Sequence, residues 1–175
     1  MPNELPRPLL FLDVDGPLLP FGEIPEHESV PAPCREPRPG TNPLLARLDP
    51  TLGPLLTALP CEPVWATTWM HEANRVVSPA LGLPTLAVVE WPETHNDRVD
   101  EWYGLHWKTR ALLACASGRS FIWIDDEIGD GDREWVSAHH DGRALLYRVE
   151  PQIGLRHNDF PALLDLIQSL PAESR

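Results

Sequence analysis

The sequence predicts an α/β fold in which a central, mainly parallel sheet carries helices on both faces, and three observations predict it. Short and almost wholly apolar runs recur along the chain, the pattern of strands buried on both faces. Each run alternates with a stretch of helical periodicity, as right-handed crossovers between parallel strands require. The 175 residues, 42% hydrophobic and 23% charged, suit one domain that buries a core without disulfides or a structural metal.

Leu9-Leu10-Phe11-Leu12 ends at Asp13 and reads as the first and central strand. Seven of the 21 prolines fall between Pro17 and Pro39, denying helix and ladder hydrogen bonds. The segment from Pro17 to Gly40 is therefore expected to be a proline-rich flap beside the strand end. Thr41 and Asp49, each followed by a proline and leucines, suit N-caps of short helices. Pro63 to Ala66 reads as a second strand closing at Thr67-Thr68, and Met70 to Val77 as a helix stopping at Ser78-Pro79. Thr85 to Glu90 is a third strand. The polar and aromatic stretch through Trp102-Tyr103-Gly104 has no assignment. Leu105 to Ser117 reads as a helix closed by Gly118 and Ser120 to Ile124 as a strand. Gly131 to His140 is expected to be helical, Arg143 to Val149 a strand, and Asp159 to Leu170 a helix with an aspartate cap. The tail 171–175 should fray.

Formal net charge is −12, which repels nucleic acid and anionic lipid at long range and makes nucleic acid a poor general partner. Cys34, Cys61 and Cys115 are odd in number and widely spaced, so the expectation is a reducing, cytoplasmic setting. The apolar run before Asp13 is too short for a signal-peptide core or a membrane span, and no membrane partner is expected.

Side chains two apart on a strand point the same way, so Asp13 and Asp15 should project together while Val14 turns inward and Gly16 lets the backbone turn. Two close carboxylates repel unless a cation lies between them, and magnesium takes oxygen ligands alongside phosphate oxygens. The pair therefore predicts a metal, against the plainer reading of an Asp-Gly turn or a lone calcium-type loop. An aspartate can also attack phosphorus, splitting one difficult hydrolysis into two displacements.

The run Leu9 to Leu18, an apolar strand followed by Asp13-Val14-Asp15-Gly16-Pro17-Leu18, resembles the first motif of the haloacid dehalogenase-like (HAD) hydrolases. Later residues resemble the other motifs in order: Thr67, or its neighbour Thr68, after Val64-Trp65-Ala66; Lys108 in His106-Trp107-Lys108-Thr109; and Asp125-Asp126 after Phe121 to Ile124, with Asp130 beyond. The resemblance spans Leu9 to about Asp130.

The resemblance implies a three-layer, Rossmann-like core with its site at the carboxyl ends of the strands. It implies a magnesium-dependent phosphatase with Asp13 as nucleophile and Asp15 as general acid and base. Thr67 and Lys108 would bind phosphate. Magnesium would lie among Asp13, the backbone carbonyl of Asp15, and Asp126 or Asp125. The intervals after the first two motifs leave no room for a large cap domain, so the site should be open or covered only by the flap. An open site suits a small phosphorylated substrate, held in part by a homo-oligomer partner, or the phosphorylated end of a polynucleotide. The rival from another class is a noncatalytic binding module that uses the proline-rich flap. Trp65 and Trp123, inside strands, should pack in the core, whereas Trp69 and Trp107 are candidates for a substrate pocket. His106 and the adjacent His139-His140 read as surface or capping residues.

Overall fold

Leu9–Leu12 forms strand β1 and is buried along its whole length, which the absence of any polar side chain permits. The computed structural model describes residues 6–22, 43–92 and 97–170. Around β1 the strands β2 (Glu62–Trp65), β3 (Ala87–Val88), β4 (Phe121–Asp125) and β5 (Ala144–Arg148) form a parallel sheet in the order β3-β2-β1-β4-β5. The helices are α1 (Leu52–Ala58), α2 (His71–Leu81), α3 (Asp97–Tyr103), α4 (Thr109–Ala116), α5 (Asp130–His139) and α6 (Asp159–Gln168), with a 3-10 turn at Pro43–Arg47.

The two-residue period of the strands divides the core in two. Leu10, Leu12, Ile122 and Ile124 pack with Leu56 of α1, Val77 of α2 and Leu163 of α6. Leu9, Phe11, Phe121 and Trp123 pack on the other face with Leu112 of α4 and Val136 of α5. Three layers result, as the alternation of elements predicts. Each fully buried Leu or Phe contributes roughly 1.5–3 kcal/mol to this arrangement.

Several boundaries differ from the sequence reading, for local reasons. Helix α2 does not stop at Ser78 but passes through Pro79 to Leu81. Pro79 costs one hydrogen bond near the helix end, and Gly82, at φ 67°, supplies the left-handed turn that closes it. Leu83 N–H then caps the Ser78 carbonyl at 2.8 Å. Helix α4 starts at Thr109 rather than Leu105, because the buried Asp132 carboxylate takes the His106 N–H at 2.7 Å and the Thr109 hydroxyl at 2.5 Å. Residues 105–108 are thereby held as a turn. Strand β3 shrinks to two residues at the sheet edge, and the stretch without an assignment contains α3. Asp159 does not cap α6 from outside: it lies within the first turn, accepting the Arg156 N–H at 2.7 Å and the Tyr147 hydroxyl at 2.9 Å.

The start of the expected flap is not extended. Leu18 and Leu19 donate to the Val14 carbonyl at 3.0 and 2.9 Å and are both buried, so Pro17–Leu19 is a tight turn packed into the core. The rest of the flap, residues 23–40, lies outside the described residues with Cys34, Thr41 and the tail 171–175. Register places the site. Leu12 pairs with both Trp65 and Ile124, Ala66 N–H bonds the Leu12 carbonyl at 2.9 Å, and Asp13 N–H bonds the Ile124 carbonyl at 3.1 Å. Asp13, Thr67 and Asp125 therefore leave the sheet side by side at its carboxyl edge.

Candidate active site

Asp13 continues the face of β1 that carries Leu9 and Phe11, and Asp125 continues the face of β4 that carries Phe121 and Trp123. Both carboxylates thus turn toward the start of α4, where Lys108 precedes the first helical residue. Lys108 Nζ donates to Asp13 Oδ2 at 2.5 Å and to Asp125 Oδ2 at 2.8 Å. All three side chains are inside the protein: Asp13 is 7% exposed, Lys108 2% and Asp125 0%. Asp13 Oδ1 also accepts the Val14 N–H at 2.7 Å.

Burial dominates the electrostatics of Asp13 and pushes its carboxyl up to about 7, with Lys108 opposing and Asp125 adding to the rise. For Lys108 burial alone would lower the pKa, but Asp13 and Asp125 together hold it above the ordinary lysine value. Asp126 is half-buried, and its carboxyl is raised first by burial and then by Asp125. Its approach depends on Gly16, which sits at φ 81° and whose place would set a Cβ 2.4 Å from the Asp126 Cγ. Only glycine meets both conditions.

One carboxylate oxygen from each of Asp13, Asp125 and Asp126 lies within 4.8 Å of the others. Three acids facing one ammonium leave a deficit of positive charge, and a set of hard oxygen donors fits magnesium. Asp125 is held from three sides, by Lys108, by the Trp123 indole N–H at 3.2 Å and by the Glu127 N–H at 3.0 Å. A second group, His106, Asp125 and Glu127, shares that residue, with His106 Nε2 2.9 Å from Glu127 Oε2.

The geometry brings together Asp13, Lys108, Asp125 and Asp126, and separates others. The Asp15 carboxylate lies outside the acid trio and accepts the Trp69 indole N–H at 2.9 Å. Thr67 is fully buried at the end of β2, its hydroxyl accepting the Trp69 N–H at 3.3 Å, while Thr68 is exposed. Asp130 is exposed on the first turn of α5 and does not join the trio. The buried acid of that turn is Asp132, which also takes the Gly129 N–H at 2.8 Å and so ties the segment bearing Lys108 to the loop after β4. The one signal for Asp132 in the sequence is its place three residues beyond Gly129, the N-cap of α5, where a capping acid belongs.

Among the aromatic residues, Trp65 and Trp123 are fully buried. Trp91 packs edge-on against Trp107 at 4.7 Å and donates to the Thr67 carbonyl at 3.1 Å. His139 is exposed and stacked on Trp135, and a ring nitrogen of His140 lies 3.1 Å from the Arg119 carbonyl.

Comparison with known families completes the picture. A model of the family described as the HAD domain in Swiss Army Knife RNA repair proteins matches residues 9–160. The chain belongs to the HAD-like hydrolases. The five parallel strands with helices on both faces form the three-layer α/β fold of that superfamily. Members of this superfamily generally use magnesium, and the acid trio of this HAD domain offers it a site. No curated protein and no solved structure matches the chain with significance. Among the described residues, no helix of the HAD domain is long and apolar enough to cross a membrane.

Proposed function

We propose that this HAD-like hydrolase is a magnesium-dependent phosphomonoesterase in which Asp13 accepts the phosphoryl group. The observation that carries the reading is the buried Lys108 shared between Asp13 and Asp125, with Asp126 beside them. Such a cluster holds a carboxylate oriented in a site shielded from water, where charge stabilisation is strongest.

In the first displacement an Asp13 oxygen attacks phosphorus, forming the acyl phosphate as the bond from phosphorus to the ester oxygen breaks. Asp15 gives that oxygen its proton, and the alcohol leaves. In the second, Asp15 takes a proton from water as its oxygen attacks phosphorus, which frees phosphate and restores Asp13. Lys108 spends two of its three N–H donors on Asp13 and Asp125, and we assign the third to a phosphoryl oxygen. The Thr67 hydroxyl is assigned to another. Asp13, Asp126 and Asp125, with the Asp15 carbonyl, would hold the magnesium, which supplies positive charge against the phosphoryl oxygens.

The family match favours a second, narrower reading, in which the ester is the phosphorylated end of a polynucleotide. The net charge of −12 works against it by opposing an extended backbone, and favours a small phosphorylated substrate. The test is magnesium-dependent hydrolysis of an aryl phosphate by the wild type beside Asp13→Asn. Turnover by the wild type alone supports the proposal; equal, negligible rates on aryl, metabolite and oligonucleotide phosphates would favour a noncatalytic binding module. Comparing a phosphometabolite panel with end-phosphorylated oligoribonucleotides then separates the two substrate classes.

A further inference from the structure

We infer that Trp69 is a positioning residue for Asp15, fixing which carboxyl oxygen carries the proton. The inference rests on the acid and base role given to Asp15 above and goes beyond it to a residue with no role so far. Trp69 Nε1 lies 2.9 Å from Asp15 Oδ2, across 54 positions of sequence.

The indole N–H is a donor only and cannot accept. When Asp15 is protonated, its proton is therefore favoured on Oδ1, since an unprotonated Oδ2 is the better acceptor for the indole N–H. The bond thus selects one tautomer over the other, and Oδ1 becomes the atom offered to the leaving oxygen. Among the described residues the Asp15 carboxylate lies outside the acid trio, and the indole N–H of Trp69 is the side-chain donor that meets it.

Trp69 is itself held in place. Its side chain packs against the core cluster that holds Leu12 and Val77, its backbone N–H donates to the Thr67 hydroxyl at 3.3 Å, and its carbonyl accepts the Glu72 N–H at 2.9 Å in the first turn of α2. The next residue, Met70, sits at φ 49° and ψ −134°, a backbone state that side-chain-bearing residues rarely adopt. Such strain persists only where the surroundings over-determine it, and it gathers at functional sites. The turn from Thr67 to Met70 thus presents a phosphate-binding hydroxyl and the indole that orients the acid.

The experiment uses leaving groups of different need. Dinitrophenyl phosphate expels a stable phenolate without a proton, whereas an alkyl phosphate requires one, and kcat/KM reports only the first displacement. Trp69→Phe is expected to lose about 10²-fold on the alkyl ester and less than about 3-fold on dinitrophenyl phosphate, as a misplaced acid should. Equal losses on both esters, or none on the alkyl ester, would overturn the inference while leaving Asp13 phosphatase chemistry intact. A wild type no faster than Asp13→Asn on either ester removes the parent reading and this inference with it. A second arm needs neither turnover nor a folded Trp69 variant. In the metal-free full chain labelled with nitrogen-15, the Trp69 indole resonance should move in Asp15→Ala; an unmoved resonance overturns the hydrogen bond and the inference.

Discussion

Lys108 reaches across 95 positions to Asp13 and across 17 to Asp125, and the burial of all three sets the pH behaviour of the metal-free protein. Asp13 rises from 3.8 to about 7, with burial the chief cause. Between those values the folded chain holds a proton that the unfolded chain has released, so stability falls as pH rises from about 4 through about 7 and levels beyond. In EDTA, urea melts should show wild type losing stability relative to Asp13→Asn between pH 5 and pH 8; a constant gap would contradict the assignment. Added magnesium should remove the difference in slope. At this scale the acids at the ends of apolar runs were legible, because a carboxylate that closes a buried strand has few structural reasons to be there. Asp132 and the bond from Trp69 to Asp15 were not, because each depends on partners that only the tertiary fold supplies. The same is true of which acids beyond Asp125 come within reach of Asp13: Asp126 does, and Asp130 is exposed and does not join them.

Two local devices position the site, and each predicts a measurable failure. Gly16 combines φ 81° with a would-be Cβ 2.4 Å from Asp126. Gly16→Ala should cost about 1–2 kcal/mol from the left-handed backbone, and should also displace Asp126 and weaken magnesium binding, read by titration calorimetry. Asp132 satisfies two backbone N–H groups and the Thr109 hydroxyl between the loop after β4 and the start of α4. Asp132→Ala should cost about 2–4 kcal/mol in urea melts and reduce turnover with it, since Lys108 rides on the released turn. The five strands were legible from their apolar runs, and the helices other than α3 from periodicity and capping residues. Their ends were less so. Pro79 reads locally as a stop but costs little one turn before Gly82, and α4 loses its first turn to a side chain from α5.

For the molecule as a whole, the parallel register and the two-sided core do the assembling. Leu12 lies between Trp65 and Ile124, so the ends of three strands far apart in sequence meet at one edge. This much follows from alternating strands and helices, which allow few topologies once crossovers are right-handed. Composition also bounds the substrate: at a net charge of −12, a phosphorylated end is easier to admit than a long backbone. The central claim is that this convergence leaves Asp13 as the acceptor of phosphate. Its most direct test is to quench the magnesium-loaded protein in acid during turnover of an aryl phosphate, reduce with borohydride and sequence the peptides by mass spectrometry. Reduction of an acyl phosphate turns aspartate into homoserine, and homoserine is predicted at position 13. Turnover with unmodified aspartate at 13 and the label elsewhere would contradict the account.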